Sequence, residues 1–210
     1  HIHGEGEYVN IQYGYDLING LNLYNAILVT AGIQVTASTE LIFKKFEKID
    51  YLIQGESEFV LAQFASKIKN INELKDLKGL SFKANNKVTI NERQDLIHDL
   101  DKIPNYDYSI FDEQIFLRPY NGKIVRALDY ELSRGCIYTC SYCVETVIQN
   151  YYGFKEKTNR GALIDAKKYL RSKSAIRIYD ELCSYAKEYK INFIRCQDTN
   201  FLTINKKFLM

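Results

Sequence analysis

Short apolar runs alternate with amphipathic stretches along most of this chain. Within 15–24, Leu17, Ile18, Leu21 and Tyr24 recur at helical spacing, and 26–30 is a continuous apolar run of the kind buried on both faces of a sheet. A helix is expected over 39–48 and a second strand over 49–53. From Glu56 onward Leu61, Phe64, Ala65 and Ile68 line one face of a further helix. Strands alternating with helices imply an α/β fold with a parallel sheet, and the first third reads as the later half of a doubly wound domain.

The middle has another texture. Leu80 and Phe82, then Val88 and Ile90, flank Asn85-Asn86 and predict a small hairpin. Pro104 and Pro119 fall in the stretch that follows, which with its Asp and Asn residues marks 95–121 as a connector. Alternation then returns. A strand over 125–132 runs into a cysteine-rich loop. Val144, Val147, Ile148 and Tyr151 give the next helix a stripe closed by Gly153, and Ser174 caps a helix striped by Ile178, Leu182, Tyr185, Ala186 and Tyr189. A strand over 191–196 completes a βαβ unit ending at Gln197-Asp198-Thr199.

Composition narrows the class. Among 210 residues 46% are apolar, enough for a packed core, and the formal charge of +2 gives no footprint for bulk nucleic-acid binding. No apolar run approaches the ~18 residues of a membrane span, and the start has no signal-peptide pattern. The chain opens on His1 rather than methionine and stops at Met210, as expected of a piece of a longer protein, and residues 1–210 alone are expected to show little or no activity. Five cysteines, three of them between positions 136 and 143, do not form a secreted disulfide framework; a reducing cytoplasm is expected.

Those three carry the chemistry. Cys136, Cys140 and Cys143 lie in Ser-Arg-Gly-Cys-Ile-Tyr-Thr-Cys-Ser-Tyr-Cys, and soft thiolates so close together bind zinc, copper(I) or an iron–sulfur cluster. Structural zinc usually takes four protein ligands, commonly as two separated pairs, whereas Cys183 and Cys196 stand apart and read as packed small residues. Three ligands on a four-iron cluster leave one iron open, and Gly135 permits the close backbone approach of a wrapping loop.

CxxxCxxC with Tyr142 before the last cysteine resembles the radical S-adenosylmethionine superfamily. The resemblance implies a [4Fe–4S] cluster held by Cys136, Cys140 and Cys143, S-adenosylmethionine chelating the open iron, and an electron that cleaves it to start radical chemistry. It implies that Tyr142 packs near the adenine and that Gln197, Asp198 and Thr199 meet the cofactor, with Asp198 standing where many members have a glutamate. An external electron donor such as flavodoxin or ferredoxin is implied too, acting on an unknown substrate.

The upstream segments at 32–37, Gly55-Glu56-Ser57-Glu58 and Leu100-Asp101-Lys102-Ile103-Pro104, with Arg171-Ser172-Lys173-Ser174 and Glu181 downstream, resemble the subgroup carrying an N-terminal cobalamin-binding-type domain. That resemblance implies a truncated Rossmann-like domain over 1–75, a linker with a small hairpin over 76–122, and the start of a partial (β/α) barrel over 123–210. Cobalamin is a further implied cofactor, although of the usual Asp-x-His-x-x-Gly segment only His3 and Gly6 fit, with His1 at the aspartate position. Cobalamin-linked methylation and cyclisation both stay open.

Other readings compete. Glu56 and Glu58 suit the positive start of a helix. The basic stretch Lys155, Lys157, Arg160, Lys167, Lys168, Arg171, Lys173 and Arg177 is expected to be a solvated surface. A methylthiotransferase would want a second cysteine triplet upstream, and residues 1–135 contain no cysteine. The alternative from another class is a zinc- or iron–sulfur-stabilised binding module without turnover.

Overall fold

The computed structural model describes residues 5–22, 26–84 and 87–201. They form two compact units: one holds the described residues up to 96 together with 150–153, the other 97–149 together with 154–201. Tyr24, Asn85-Asn86, His1 and His3 lie outside the described residues, and with them part of the first predicted stripe, the hairpin tip and the histidine spacing.

The first unit contains α1 (Glu5–Gly20), β1 (Val29–Ala31), α2 (Ile33–Ala37), α3 (Thr39–Lys45), β2 (Tyr51–Ile53), α4 (Glu58–Lys67), α5 (Ile71–Leu74), β3 (Leu80–Ala84) and β4 (Lys87–Ile90). Its sheet runs β1-β2-β3-β4, with β1 and β2 parallel and the other two pairs antiparallel. The expected hairpin is β3 and β4, and β3 joins it to β2. Two apolar clusters sandwich β2: Ile53 packs with Val60, Phe64, Leu74, Leu77 and Leu80, while Leu52 packs with Val35, Phe43, Phe46 and Ile49. Successive strand residues face opposite ways, so adjacent Leu52 and Ile53 feed both cores. Glu58 opens α4, as its charge favours. The Glu56 backbone N–H donates to the Tyr152 hydroxyl at 2.9 Å.

The second unit contains β5 (Leu117–Tyr120), β6 (Lys123–Tyr130), β7 (Ser133–Arg134), α6 (Val144–Tyr151, whose last residues group with the first unit), α7 (Ala166–Tyr169), β8 (Arg171–Ser172), α8 (Ala175–Tyr189) and β9 (Phe193–Cys196). The sheet order is β5-β6-β9, and β6 pairs parallel with β9 across the helical crossover, as the βαβ reading requires. Part of the expected connector is therefore strand β5, paired antiparallel with β6; Pro119 is tolerated there because β5 is an edge. Ser174 caps α8, its Oγ accepting from the Arg177 N–H at 3.1 Å. An apolar cleft of about 550 Å³ lies along α8 and β9. Among the described residues no helix is long and apolar enough to cross a membrane.

The basic stretch is not uniformly solvated. Arg171 and Lys173 are buried, and Lys173 and Arg177 both bind the buried carboxylate of Glu181, at 2.6 and 2.8 Å. Tyr130 at the end of β6 donates to the same carboxylate; burial and that neighbouring charge push its pKa up and keep it protonated. Arg177 also reaches the Ile103 carbonyl at 2.6 Å, and Asp101 accepts from the Ser174 N–H at 2.8 Å. Charges spaced for a surface are instead drawn inward because Glu181 projects from the core-facing side of α8. Removing one partner of such a pair costs about 3–5 kcal/mol, since the others stay buried and uncompensated. Glu181→Leu is expected to lower chemical-denaturation stability by about that much, and adding Lys173→Met to recover part of the loss; equal stability of Glu181→Leu and the unsubstituted protein would refute this role.

Candidate functional site

The cysteine loop leaves the end of β6 through the short strand β7 and enters α6 directly. Gly135 begins the turn at φ +95°, a left-handed conformation, and a Cβ there would stand 2.8 Å from the Tyr169 carbonyl oxygen. The loop is clasped by the same segment, 154–170: Leu163 N–H donates to the Ile137 carbonyl at 2.8 Å, and the Thr139 N–H and Oγ1 donate to the Gly161 carbonyl at 2.9 and 3.0 Å. The Tyr169 hydroxyl in turn donates to Glu145 at 2.7 Å.

From behind, α6 satisfies the loop's carbonyls. Gln149, fully buried, donates from Nε2 to the Cys136 and Tyr138 carbonyls at 2.9 and 3.0 Å. Thr146 Oγ1 donates to the Cys140 carbonyl at 2.8 Å. Only part of the expected stripe turns inward: Ile148 and Tyr151 are half-buried. Val144 and Val147 of the apolar stripe are exposed, and Glu145 and Gln149 are buried, because this side of the helix meets the loop's carbonyls and the Tyr169 hydroxyl.

The three predicted ligands are free thiols, all half-buried in this one loop. Among the described residues no set of three His, Cys, Asp or Glu side chains is gathered tightly around a single ion position. Cys136 Sγ accepts from the Tyr138 backbone N–H at 3.4 Å and from Asn200 Nδ2 at 3.6 Å. Cys183 and Cys196, expected as packed residues, are both exposed, Cys183 beside the cleft along α8.

Tyr142 projects from the loop at 89% exposure. Of the loop after β9, Gln197 and Thr199 are exposed, Gln197 Nε2 reaching Asp129 at 3.3 Å. Asp198 does more than form a turn: its Oδ1 accepts from both the N–H and Oγ of Ser133 at 2.6 Å, tying this loop to β7. Its Oδ2 is buried without a hydrogen-bond partner. Gln149, Thr146, Ser133 and Asn200 were not singled out in the sequence. A glutamine interrupting an apolar helix right after a cysteine loop was the one available signal.

Chemically, the donor set suits iron and sulfide. The three thiols are soft, the loop's carbonyls are engaged elsewhere, and two N–H groups already face a sulfur, which is how cluster-ligating thiolates are stabilised.

Solved structures adopt the same architecture. The chain superposes on the cobalamin-dependent S-adenosylmethionine radical enzyme OxsB with a TM-score of 0.54 at 19% identity, over 93% of this chain and 24% of that one. It superposes on the radical S-adenosylmethionine methyltransferase TsrM of Kitasatospora setae with a TM-score of 0.56 at 19% identity, over 95% and 34%. The chain shares the fold of the corresponding part of these two enzymes. Among curated proteins the chain is 29% identical over 183 residues to an uncharacterised methyltransferase of Pyrococcus horikoshii, covering 87% of this chain and 35% of that protein. It is 30% identical over 124 residues to an anaerobic magnesium-protoporphyrin IX monomethyl ester cyclase of Synechocystis, covering 58% and 23%. The chain thus spans about a third or less of the length of these relatives. No protein-family model matches it. The resemblance to radical S-adenosylmethionine enzymes with a cobalamin-binding-type domain is borne out.

Gly135→Ala forces both a left-handed φ and a contact with the Tyr169 carbonyl, a strain of about 1–3 kcal/mol. The expected outcome is a lowered Tm and less iron retained after anaerobic reconstitution; an unchanged Tm and iron content would contradict the fit described for this turn.

Proposed function

We propose that this chain carries the cofactor-cleaving site of a radical S-adenosylmethionine enzyme, with Cys136, Cys140 and Cys143 holding a [4Fe–4S] cluster. The observation that carries the reading is the position of the CxxxCxxC loop: it follows the C-terminal end of β6, whose parallel neighbour β9 ends in the Gln197–Thr199 loop, and barrel active sites are built at that end. When bound, the cluster supplies the electron for reductive cleavage of S-adenosylmethionine at the iron that lacks a cysteine.

The chain's own residues prepare that site. Gln149 and Thr146 hold the loop by its carbonyls, which leaves the cysteine side chains as the loop's ligands. Asp198, fixed through Oδ1 by Ser133, keeps Oδ2 available to accept from the cofactor's methionyl amine. Tyr142 offers an exposed ring to the adenine, and Gln197 and Thr199 add polar groups from the same loop as Asp198. An electron donor of the flavodoxin or ferredoxin kind would reduce the cluster, in the reducing cytoplasm that five free thiols favour.

The first unit supports a cobalamin-linked reading, in which the radical chemistry serves methylation or cyclisation. The superpositions on two cobalamin-dependent enzymes cover 93% and 95% of the chain, so they take in most of this unit. The substrate would be set by the whole protein.

Reconstituted anaerobically with iron and sulfide, the protein is expected to develop a broad visible absorbance that bleaches with dithionite and is absent from the Cys136→Ala, Cys140→Ala, Cys143→Ala triple variant. The same absorbance in the triple variant, or none in the unsubstituted protein, would overturn the reading.

A further inference from the structure

The loop after β9 touches the cysteine loop at two points. Asp198 grips Ser133, and two residues later half-buried Asn200 directs Nδ2 at the sulfur of Cys136, three residues after Ser133. The first contact registers the second. With Oδ1 of Asp198 held at 2.6 Å from both Ser133 donors, the backbone leading to Asn200 has little freedom to withdraw. Cys136 thereby carries a side-chain donor in addition to the Tyr138 backbone N–H.

We infer that Asn200 is a positioning and tuning residue for the cluster, donating an N–H···S hydrogen bond to the Cys136 ligand and raising the cluster's reduction potential. The inference rests on the cluster reading above. Reduction adds negative charge that is shared by the ligating sulfurs, and a donor aimed at a sulfur stabilises the reduced form more than the oxidised one; hydrogen bonds to sulfur and second-sphere donors are established controls of such potentials. Asn200 supplies the donor without bringing a charge, so it shifts the potential without altering the net charge of the site.

The test is a potentiometric titration, monitored by electron paramagnetic resonance, of the anaerobically reconstituted full-length protein and of two variants. Asn200→Leu removes the donor; Asn200→Asp keeps the shape, removes the N–H and adds charge. Both are expected to retain iron and sulfide. Both should show a more negative midpoint, with a several-fold smaller reduced fraction at a fixed potential, and the Asp variant should shift further. Raman bands of the iron–cysteinyl sulfur stretch should move in both, as a residue that merely supports the fold would not cause. Unmoved midpoints in the two variants with iron retained would overturn the role, and so would loss of the cluster from both, because a tuning bond is dispensable for assembly. Absence of a cluster from the unsubstituted protein would instead defeat the function proposed above, so the two failures are distinguishable.

Discussion

A loop that turns its side chains toward a ligand must have its backbone satisfied from behind. In this chain that constraint falls on Gln149, whose single amide nitrogen holds the carbonyls of Cys136 and Tyr138. A buried carbonyl without a donor costs about 1–3 kcal/mol, so an apolar residue at this position would leave two such groups exposed to an apolar wall. The rest of the loop follows from that anchor. Thr146 secures the Cys140 carbonyl, Thr139 and Leu163 secure the far side, and Gly135 supplies the left-handed entry that lets the loop lie against Tyr169.

The anchor works only because the scaffold around it is fixed by charge as well as by apolar contact. Glu181 gathers Lys173, Arg177 and Tyr130 in one buried cluster, joining the first residues of α8 to the end of β6 just before the cysteine loop begins. The aromatic cluster of Tyr108, Phe116, Tyr185 and Tyr189 packs on the same side of α8, with ring centroids 5.3–6.1 Å apart among its neighbours. A βαβ unit held this way presents the ends of two parallel strands, and Ser133 and Asp198 join those ends by direct hydrogen bonds.

The elements were legible in the sequence where periodicity and punctuation agree. Ser174 and Gly153 bound their helices as their chemistry predicts, and the parallel pairing of β6 with β9 follows from the strand–helix–strand pattern. Facing was less legible. Val144 and Val147 of the stripe on α6 are exposed while Glu145 and Gln149 are buried, because periodicity reports where apolar residues lie and not that carbonyls of the cysteine loop lie opposite. Charge patterning failed for Lys173 and Arg177 for a related reason: a run of cations looks solvated until the carboxylate that collects these two is located eight residues on from Lys173. Arg171 is instead drawn in by the carbonyls of Tyr169 and Ile97. Pairing between distant segments, such as Asn200 with Cys136, leaves no mark in local sequence.

The cysteine spacing was the clearest signal, and the central claim about it concerns the kind of metal site the loop forms. Elemental analysis of the protein purified without oxygen decides this most directly. Iron and acid-labile sulfide are expected in equal amounts, about four of each per chain as a [4Fe–4S] cluster requires, with little zinc; about one zinc per chain and no labile sulfide would mark a zinc site instead and refute the cluster.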